Sequence, residues 1–326
     1  MDPAHRRAFN AAFREEKYRA VMRQLEAELG FPVDFRISET PIFLTAELTA
    51  ELIAAAHTIV AAVTAPDYLT RAGRAVPPEL AVPGEEGQPP FVQVDFALAE
   101  GDGGHVVPQL IELQAFPSLY GFQWLLDRVY REHYDIAPGL TTYFDGLDEE
   151  SYAARLRETI VADCDPEEVV LLEIEPERQK TRADFAATER MLGIRSVDLR
   201  ELAVREGRVS RRRDGREVPV RRIYNRVIFD ELVRRGLPRA PLFTEPLDAA
   251  WVGHPNWYFR VSKFSLPFLD FPWAPRAHFV SDLPEPPPDL GDYVLKPLFS
   301  FAGLGVELDV THERLRALPR PEEWIL

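Results

Sequence analysis

The segment that most constrains the fold is residues 169–174, which are apolar apart from Glu173. An uninterrupted apolar run of this length is typical of a strand that is buried on both faces of a parallel sheet. A polar loop, a predicted helix over 183–192 and a second short strand at Val197–Leu199 follow it. This order corresponds to one β-α-β unit, so the sequence predicts an α/β fold.

Further elements are predicted on both sides of this unit. Apolar residues at helical spacing predict helices, and alternating runs joined by glycine-containing turns predict hairpins. The predicted helices span 3–29, 45–63 and 119–134, a loop spans 72–90, and the hairpins pair 91–98 with 106–113 and span 209–220. Residues 293–298 and 306–310 are two further strand candidates, and the proline-rich segment 267–288 is expected to be irregular.

Charge and cysteine content exclude several classes of function. The 38 Lys and Arg residues against 53 Asp and Glu residues give a net charge of −15, which repels nucleic acids and anionic membranes. The arginine-rich stretch 205–222 has interleaved acidic residues and an Asp214-Gly215 turn, so we interpret it as a charged hairpin without a nucleic-acid partner. The single cysteine, Cys164, excludes an intramolecular disulfide and a multi-cysteine zinc site, and a reducing cytoplasm fits best.

No targeting or metal-binding pattern stands out. The first residues are charged, and no window approaches 18 uninterrupted apolar residues, so we expect neither a signal peptide nor a membrane span. The seven histidines include no HExxH or HxH pattern, which argues against zinc.

Lys296 and two glycines form the strongest candidate for a phosphate site. Lys296 lies on a predicted strand, and Gly303 and Gly305 lie in the loop after it. Exposed loop amides and a lysine ammonium can together hold phosphates. The alternative is a plain hairpin with a solvated lysine.

The wider sequence resembles ATP-grasp enzymes. Residues 293–306 are similar to the lysine strand and phosphate loop of that superfamily, and residues 258–264 resemble the segment with its first nucleotide-binding lysine. The resemblance implies that Lys263 and Lys296 contact the phosphates of ATP, with Mg²⁺ completing the site. It also implies that a loop closes over the nucleotide through Ser300, Ala302, Gly303 and Gly305.

A second segment resembles one branch of that superfamily. Residues 109–120 are similar to the Glu-x-Asn segment of glutathionylspermidine synthases and eukaryotic-type glutathione synthetases. Gln114 stands where that pattern has asparagine, and Gln93 stands where the preceding strand has arginine. We therefore expect a different substrate. The substrate-binding residues implied or proposed are Asp95, Glu112, Gln114, Ser118, Asn225 and Arg226.

The chemistry of these residues leaves alternatives open. Asp95 and Glu112 can bind an amine, orient water around Mg²⁺ or pair with a nearby arginine. The alternative for each is a buried salt bridge or a solvent-facing strand residue. Arg226 can hold a carboxylate with a bidentate fork, and Asn225 can assist it or cap the strand end. The loop 173–182 follows the carboxyl end of a strand, where ligands bind in open α/β sheets. Its Arg178, Lys180 and Arg182 can receive an acidic substrate or form a solvated charge run.

The predicted organisation has three parts. Residues 1–90 are a helical segment and loop, residues 91–245 a pre-ATP-grasp-like α/β substrate domain, and residues 246–326 the first, lysine-bearing part of an ATP-grasp domain. The resemblance covers roughly 91–326, and the adenine hinge and Mg²⁺ carboxylates of the family are expected beyond it.

The sequence thus predicts an ATP-dependent ligase, or a fragment of one, that joins a small-molecule carboxylate to an amine through an acyl-phosphate. The alternative is a non-catalytic nucleotide-binding or small-molecule-binding module that has lost turnover. A third possibility is an interaction domain that uses segment 267–288. The sequence does not indicate which acid, which amine or which oligomeric state.

Overall fold

The computed structural model describes residues 2–85, 87–300 and 303–326. The α-helices are α1 (Pro3–Ala12), α2 (Glu15–Leu29), α3 (Ala46–Thr64), α4 (Pro66–Ala72), α5 (Tyr120–His133), α6 (Glu149–Ile160), α7 (Arg182–Leu192), α8 (Phe229–Arg234), α9 (Trp257–Arg260) and α10 (His312–Arg316). The strands are β1 (Gln93–Glu100), β2 (Val106–Gln114), β3 (Val169–Glu173), β4 (Arg195–Asp198), β5 (Leu202–Arg205), β6 (Arg208–Arg213), β7 (Arg216–Val220), β8 (Arg222–Asn225), β9 (Ala250–Val252), β10 (Lys296–Pro297) and β11 (Trp324–Ile325).

The chain divides into two compact units, and each unit is assembled from several segments. The first unit comprises Met1–Thr45, Val82–Gly84 and Ser118–His254, and the second comprises Ala46–Ala81, Glu85–Pro117 and Pro255–Leu326. The predicted functional division at residues 90 and 245 stays a prediction.

A parallel sheet forms the centre of the first unit. Its strands run in the order β4-β3-β8-β9, and each neighbouring pair is parallel. All five residues of β3 are buried, and α7 connects β3 to β4, which confirms the predicted β-α-β unit. A separate antiparallel sheet, β5-β6-β7, contains the predicted charged hairpin. Asp214 and Gly215 have φ of 49° and 76° at its turn, the backbone shape that an Asp-Gly hairpin turn favours.

Helices α2, α5 and α7 enclose a hydrophobic core of this unit. They bury apolar residues that recur at helical spacing, including Val21, Leu25, Phe122, Leu125 and Val129. The helix predicted over 119–134 is therefore confirmed as α5.

The second unit contains the predicted hairpin of β1 and β2. The two strands pair antiparallel from Gln93–Gln114 to Glu100–Val106, which confirms the prediction. Helix α3 contacts β2. An aromatic cluster of Phe264, Phe268 and Phe279 packs under the guanidinium of Arg74, whose Cζ lies 5.3–5.6 Å from the three ring centroids.

One helix of the described residues is long and apolar enough to cross a membrane. Helix α3 has a mean hydropathy of 1.4 over an 18-residue window. Its Leu48, Ala55, Ile59 and Val63 are buried inside the protein. Core helices of soluble proteins share this length and composition, so the helix is weak evidence for a membrane span.

Two predicted elements are wrong in detail. The helix predicted over 3–29 is two helices, because Phe13 and Arg14 have extended backbones and the Arg14 side chain donates to the carbonyls of Ala11 and Phe13. The prediction that Gly30 ends the run is confirmed, since Gly30 has a φ of 84° and its N–H bonds to the carbonyl of Glu26.

The strand pair predicted at 293–298 and 306–310 is reduced to a single bridge between Leu295 and Glu307. The strand that carries Lys296 instead pairs with β11, at positions Lys296–Ile325 and Pro297–Trp324.

The contact between α5 and α7 predicts the effect of one substitution. An added Cβ at Gly121 would lie 2.5 Å from the Thr188 hydroxyl and 2.9 Å from its backbone nitrogen. Because backbone cannot move aside as a side-chain tip can, Gly121→Ala is expected to lower the free energy of unfolding by about 1–3 kcal/mol. Urea denaturation measures this loss. Gly139→Ala is the matched control, since nothing lies within 4 Å of its added Cβ. Equal stability of the two variants would contradict the prediction.

Candidate functional site

A β-bulge in β2 organises the predicted lysine site of the second unit. Asp95 pairs with Glu112, but the next residue of β1, Phe96, pairs with Leu110. Ile111 is therefore the extra residue of the bulge and has no partner in the ladder.

The bulge also decides which side chains are buried. Leu110 and Leu113 are three positions apart, yet both are buried, because the extra residue shifts the alternation of the strand. Glu112 and Gln114 alternate with Leu113 and are only half-buried. The face that carries Glu112 and Gln114 is therefore polar and accessible.

Lys263 reaches this face from the start of a 3₁₀-helix over Lys263–Phe268. Its side chain is only 3% exposed, and its Nζ lies 3.1 Å from Oε1 of Glu112. The same ammonium donates to the backbone carbonyl of Ser300. The first predicted ATP lysine is thus a buried cation that is paired with one of the predicted substrate carboxylates.

Lys296 reaches the same place from β10. Its Nζ donates to the carbonyl of Ile111, the extra residue of the bulge, at 3.1 Å. Burial lowers the pKa of Lys296, the charge of Glu112 opposes this, and the neighbouring charge of Lys263 lowers it further. The two predicted ATP lysines and Glu112 therefore form one electrostatic group.

The rarity of lysine makes this convergence informative. The sequence has four lysines and 34 arginines. The other two lysines, Lys17 and Lys180, are exposed. Half of the lysines of the chain therefore lie at one bulge. Lysine offers a compact ammonium that can lose its proton, whereas arginine stays charged.

The loop after β10 is shaped by its glycines. Gly303 and Gly305 have φ of 72° and 76°, where side chains are strained. An added Cβ on Gly305 would also lie 2.9 Å from Cγ of Pro297, so the loop packs closely on β10. The hydroxyl of Ser300 is buried without a hydrogen-bond partner among the described residues. Ala302, also predicted to bind ATP, lies outside the described residues.

The two positions that depart from the family pattern lie opposite each other. Gln93 pairs with Gln114 across the hairpin, and Nε2 of Gln93 donates to Asp95 at 2.9 Å. The structure therefore brings Asp95, Glu112 and Gln114 together on one hairpin. Ser118 belongs to the first unit, and its hydroxyl is buried without a hydrogen-bond partner in the described part of the chain.

In the first unit, the predicted Asn225 and Arg226 lie at the carboxyl edge of the parallel sheet. Asn225 ends β8, and the N–H of Arg226 bonds to the carbonyl of Leu172 on β3. The Asn225 side chain accepts from the N–H of Val227 at 3.1 Å, while its Nδ2 is buried with no hydrogen-bond partner in the described residues. Asn225 therefore caps the strand end and retains a buried donor.

Glu173, which the sequence analysis did not select as a site residue, lies at the same edge. Its carboxyl is buried at the end of β3 and accepts from the N–H of Ile174 at 2.7 Å. Burial raises the pKa of Glu173 to about 8, partly offset by that hydrogen bond and by the charge of Arg226, while Glu231 adds to the rise. An acidic residue within an otherwise apolar strand is the sequence signal that could have identified it.

Asp184 is the second residue that sequence reasoning missed. It is fully buried in α7, and its carboxylate accepts from the N–H of Phe122 at 3.0 Å in the first turn of α5. Burial raises the pKa of Asp184, and the backbone bonds and Arg226 oppose this. Burial likewise raises the pKa of Tyr120 to about 12. Arg226 thus interacts electrostatically with two buried acids, Glu173 and Asp184, and with the phenol of Tyr120.

The loop after β3 borders an open cleft of about 770 Å³ in the first unit. Arg178 and Arg182 line it, but Lys180 is not among its lining residues. Arg178 lies 3.6 Å from Glu175, and Arg182 lies 2.9 Å from Asp34 while its guanidinium stacks on Phe31. Two of the three basic residues of this loop are thus paired with carboxylates, Arg178 with Glu175 of the same loop and Arg182 with Asp34 outside it.

The structure shows no assembled metal site in the part of the chain it describes. Among residues 2–85, 87–300 and 303–326, no three His, Cys, Asp or Glu side chains are grouped to hold an ion. His254 lies 3.2 Å from the carbonyl of Pro83, and Cys164 is a free, half-buried thiol.

Comparison with known proteins identifies the fold and nothing finer. No family model matches the sequence, and no curated protein matches it either. Among solved structures, the chain is similar to a glutathione synthetase-like effector from Globodera pallida, determined in its apo form. The TM-score is 0.56 at 12% identity, and the match covers 95% of this chain and 79% of the other. The chain therefore has a mixed α/β, glutathione synthetase-like fold.

Burial of Glu173 predicts a pH-dependent stability. The pKa of Glu173 is raised in the folded state, so its contribution to stability is complete below the unfolded value of 4.5 and is lost as the pH rises towards 8. Glu173→Gln mimics the protonated acid. We expect it to match the wild type at pH 4.0 and to exceed its free energy of unfolding by about 1 kcal/mol or more at pH 8.5.

Urea denaturation at the two pH values measures the difference. Glu177→Gln, at an exposed position of the following loop, is the matched control and is expected to show no such trend. A difference between wild type and Glu173→Gln that does not change with pH would contradict the prediction.

Proposed function

We propose that the second unit binds the phosphates of ATP between Lys263 and Lys296. The observation that carries this proposal is the convergence of the two lysines on the β2 bulge beside Glu112. Two ammonium groups face one carboxylate there, in a protein whose net charge is −15. A local excess of positive charge of this kind favours an anion, and lysine is a common phosphate ligand.

The residues present fit a triphosphate. The ammonium groups of Lys263 and Lys296 would hold it, and the backbone at Gly303 and Gly305 would approach it closely, since glycine leaves the amides unshielded. Mg²⁺ supplies charge neutralisation on the phosphates when bound. It usually keeps several waters and needs one or two carboxylates, for which Glu112 and Asp95 are the adjacent pair.

The proposed reaction is ATP-dependent joining of a carboxylate to an amine. A carboxylate oxygen attacks the γ-phosphorus and ADP leaves, and the amine then attacks the acyl carbon and releases phosphate. The lysines stabilise the transferring phosphoryl group through charge, which is the main task in such steps. The glutathione synthetase-like fold supports this proposal. The catalytic residues remain unassigned.

Substrate binding is proposed at two places, one in each unit. Arg226, with Asn225 beside it, would hold the carboxylate of the acid substrate through its bidentate fork. Ser118, also in the first unit, would add a hydroxyl for the acid substrate. In the second unit, Asp95, Glu112 and Gln114 would contact the amine. The glutamines at positions 93 and 114 support a substrate other than glutathione, because an amide replaces an expected arginine charge at Gln93.

A non-catalytic binding module is the second candidate. The pairing of Glu112 with Lys263 favours it, because a carboxylate engaged in an ion pair has less capacity to take a metal. In this alternative, the lysine site of the second unit binds a nucleotide or another small molecule but does not catalyse a reaction.

Nucleotide titration tests the proposal. Lys296→Ala is expected to weaken Mg-ATP binding by about tenfold or more, the effect of losing one charge-assisted contact of roughly 1.5–3 kcal/mol. Isothermal titration calorimetry measures the affinity. Lys180→Ala removes an exposed lysine elsewhere and is expected to bind as the wild type does. Equal affinity of the wild type and Lys296→Ala would refute the phosphate role.

Release of ADP separates the two candidate functions. The ligase proposal expects ADP release from ATP that depends on addition of a carboxylate and an amine. The binding-module alternative expects nucleotide affinity without this release.

A further inference from the structure

We propose that Lys296 is a site of covalent acylation by small acyl phosphates, with Lys263 docking the phosphate and Lys296 acting as the nucleophile. The inference rests on how the two amines are held at the β2 bulge, and it does not require nucleotide binding or ligase turnover.

The two lysines differ in what they can do. Lys263 is 3% exposed, and its protons are used by the carboxylate of Glu112 and the carbonyl of Ser300. The side chain of Lys263 is therefore engaged on both sides and closed to a reagent. Lys296 is half-buried, and its Nζ donates a hydrogen bond to the neutral carbonyl of Ile111. Of the pair, Lys296 is the amine that a small reagent can reach.

Half-burial is the main factor that favours the neutral form of Lys296. Burial lowers the pKa of Lys296, the charge of Glu112 opposes this, and the second ammonium, Lys263, lowers the pKa further. The opposing carboxylate of Glu112 is already paired with Lys263. Desolvation and a neighbouring cation are the two means by which proteins activate lysine nucleophiles. Glu112 on β2 and Lys263 on the 3₁₀-helix are the charged groups that act on it.

The geometry also selects the reagent. An acyl phosphate carries its negative charge on the leaving group, and the fixed cation of Lys263 lies beside the reacting amine. The neutral nitrogen of Lys296 attacks the acyl carbon, the bond from that carbon to the phosphate oxygen breaks, and phosphate leaves with the electron pair. The nitrogen loses one proton to water, so the product is an amide. The amide carries no charge, so Lys263 would be the one remaining ammonium of the proposed anion site.

The other lysines serve as internal references. Lys17 and Lys180 are exposed, and neither has a second lysine close in sequence. All four lysines can be followed in one digest by peptide mass spectrometry after incubation of the folded protein with acetyl phosphate at pH 7.5. We expect Lys296 to be acetylated at least about threefold faster than Lys17 and Lys180, because a lowered pKa raises the neutral fraction of its amine and Lys263 offers a cation for the phosphate.

Two variants with opposite expected effects distinguish activation of Lys296 by its neighbours from partial unfolding of the protein. Lys263→Met removes the neighbouring cation and is expected to slow acetylation of Lys296. Glu112→Gln removes the opposing carboxylate and is expected to speed it. Partial unfolding cannot produce both results, because it would bring Lys296 towards the rates of the reference lysines in either variant.

Two outcomes would overturn the proposal. One is acetylation of Lys296 in the native protein at a rate no greater than that of Lys17 and Lys180. The other is a preference for Lys296 that persists in 8 M urea at about the same size, which would trace it to local sequence instead of the fold. No nucleotide is present in the experiment, so failure of the ATP proposal would leave its result unaffected.

Discussion

The β-bulge at Ile111 is the constraint on which the second unit depends. One extra residue in β2 buries Leu110 and Leu113 together and turns Glu112 towards Lys263. It also leaves a carbonyl that Lys296 uses as its hydrogen-bond acceptor. Without the bulge, the alternation of the strand would move Glu112 to the apolar side, and the two lysines would lose both of their anchors on β2.

The first unit differs from the second in that it buries ionisable groups at the edge of a parallel sheet. Glu173 and Asp184 lie near the buried Arg226, and each carboxyl is stabilised mainly by backbone N–H groups. The guanidinium of Arg226 thus lies in the field of two buried carboxyl groups. This arrangement makes the local charge sensitive to pH and to any ligand that brings its own charge.

Sequence patterns were sufficient for the elements that carry strong periodicity. The β-α-β unit around β3, the β1–β2 hairpin and helix α5 were predictable because their apolar spacing matches one secondary structure only. The break at Arg14 was not, since neither glycine nor proline marks it and a side chain caps the carbonyls. Strand β10 was mispaired because its partner, β11, lies far along the sequence and no local signal connects them. The bulge also escaped prediction, because an extra strand residue leaves no compositional trace.

For the candidate site, residue type identified Lys263, Lys296 and Glu112, but their contacts with one another follow only from the fold. The pairing of β10 with β11 has a consequence for how this site is made. Lys296 is held by Ile325, 29 positions later, and it meets Ile111, 185 positions earlier. During synthesis on the ribosome, the lysine pair cannot take its final arrangement until residues 324–325 have emerged from the exit tunnel. An anion can therefore bind at the two lysines only after the chain has been synthesised through residue 325.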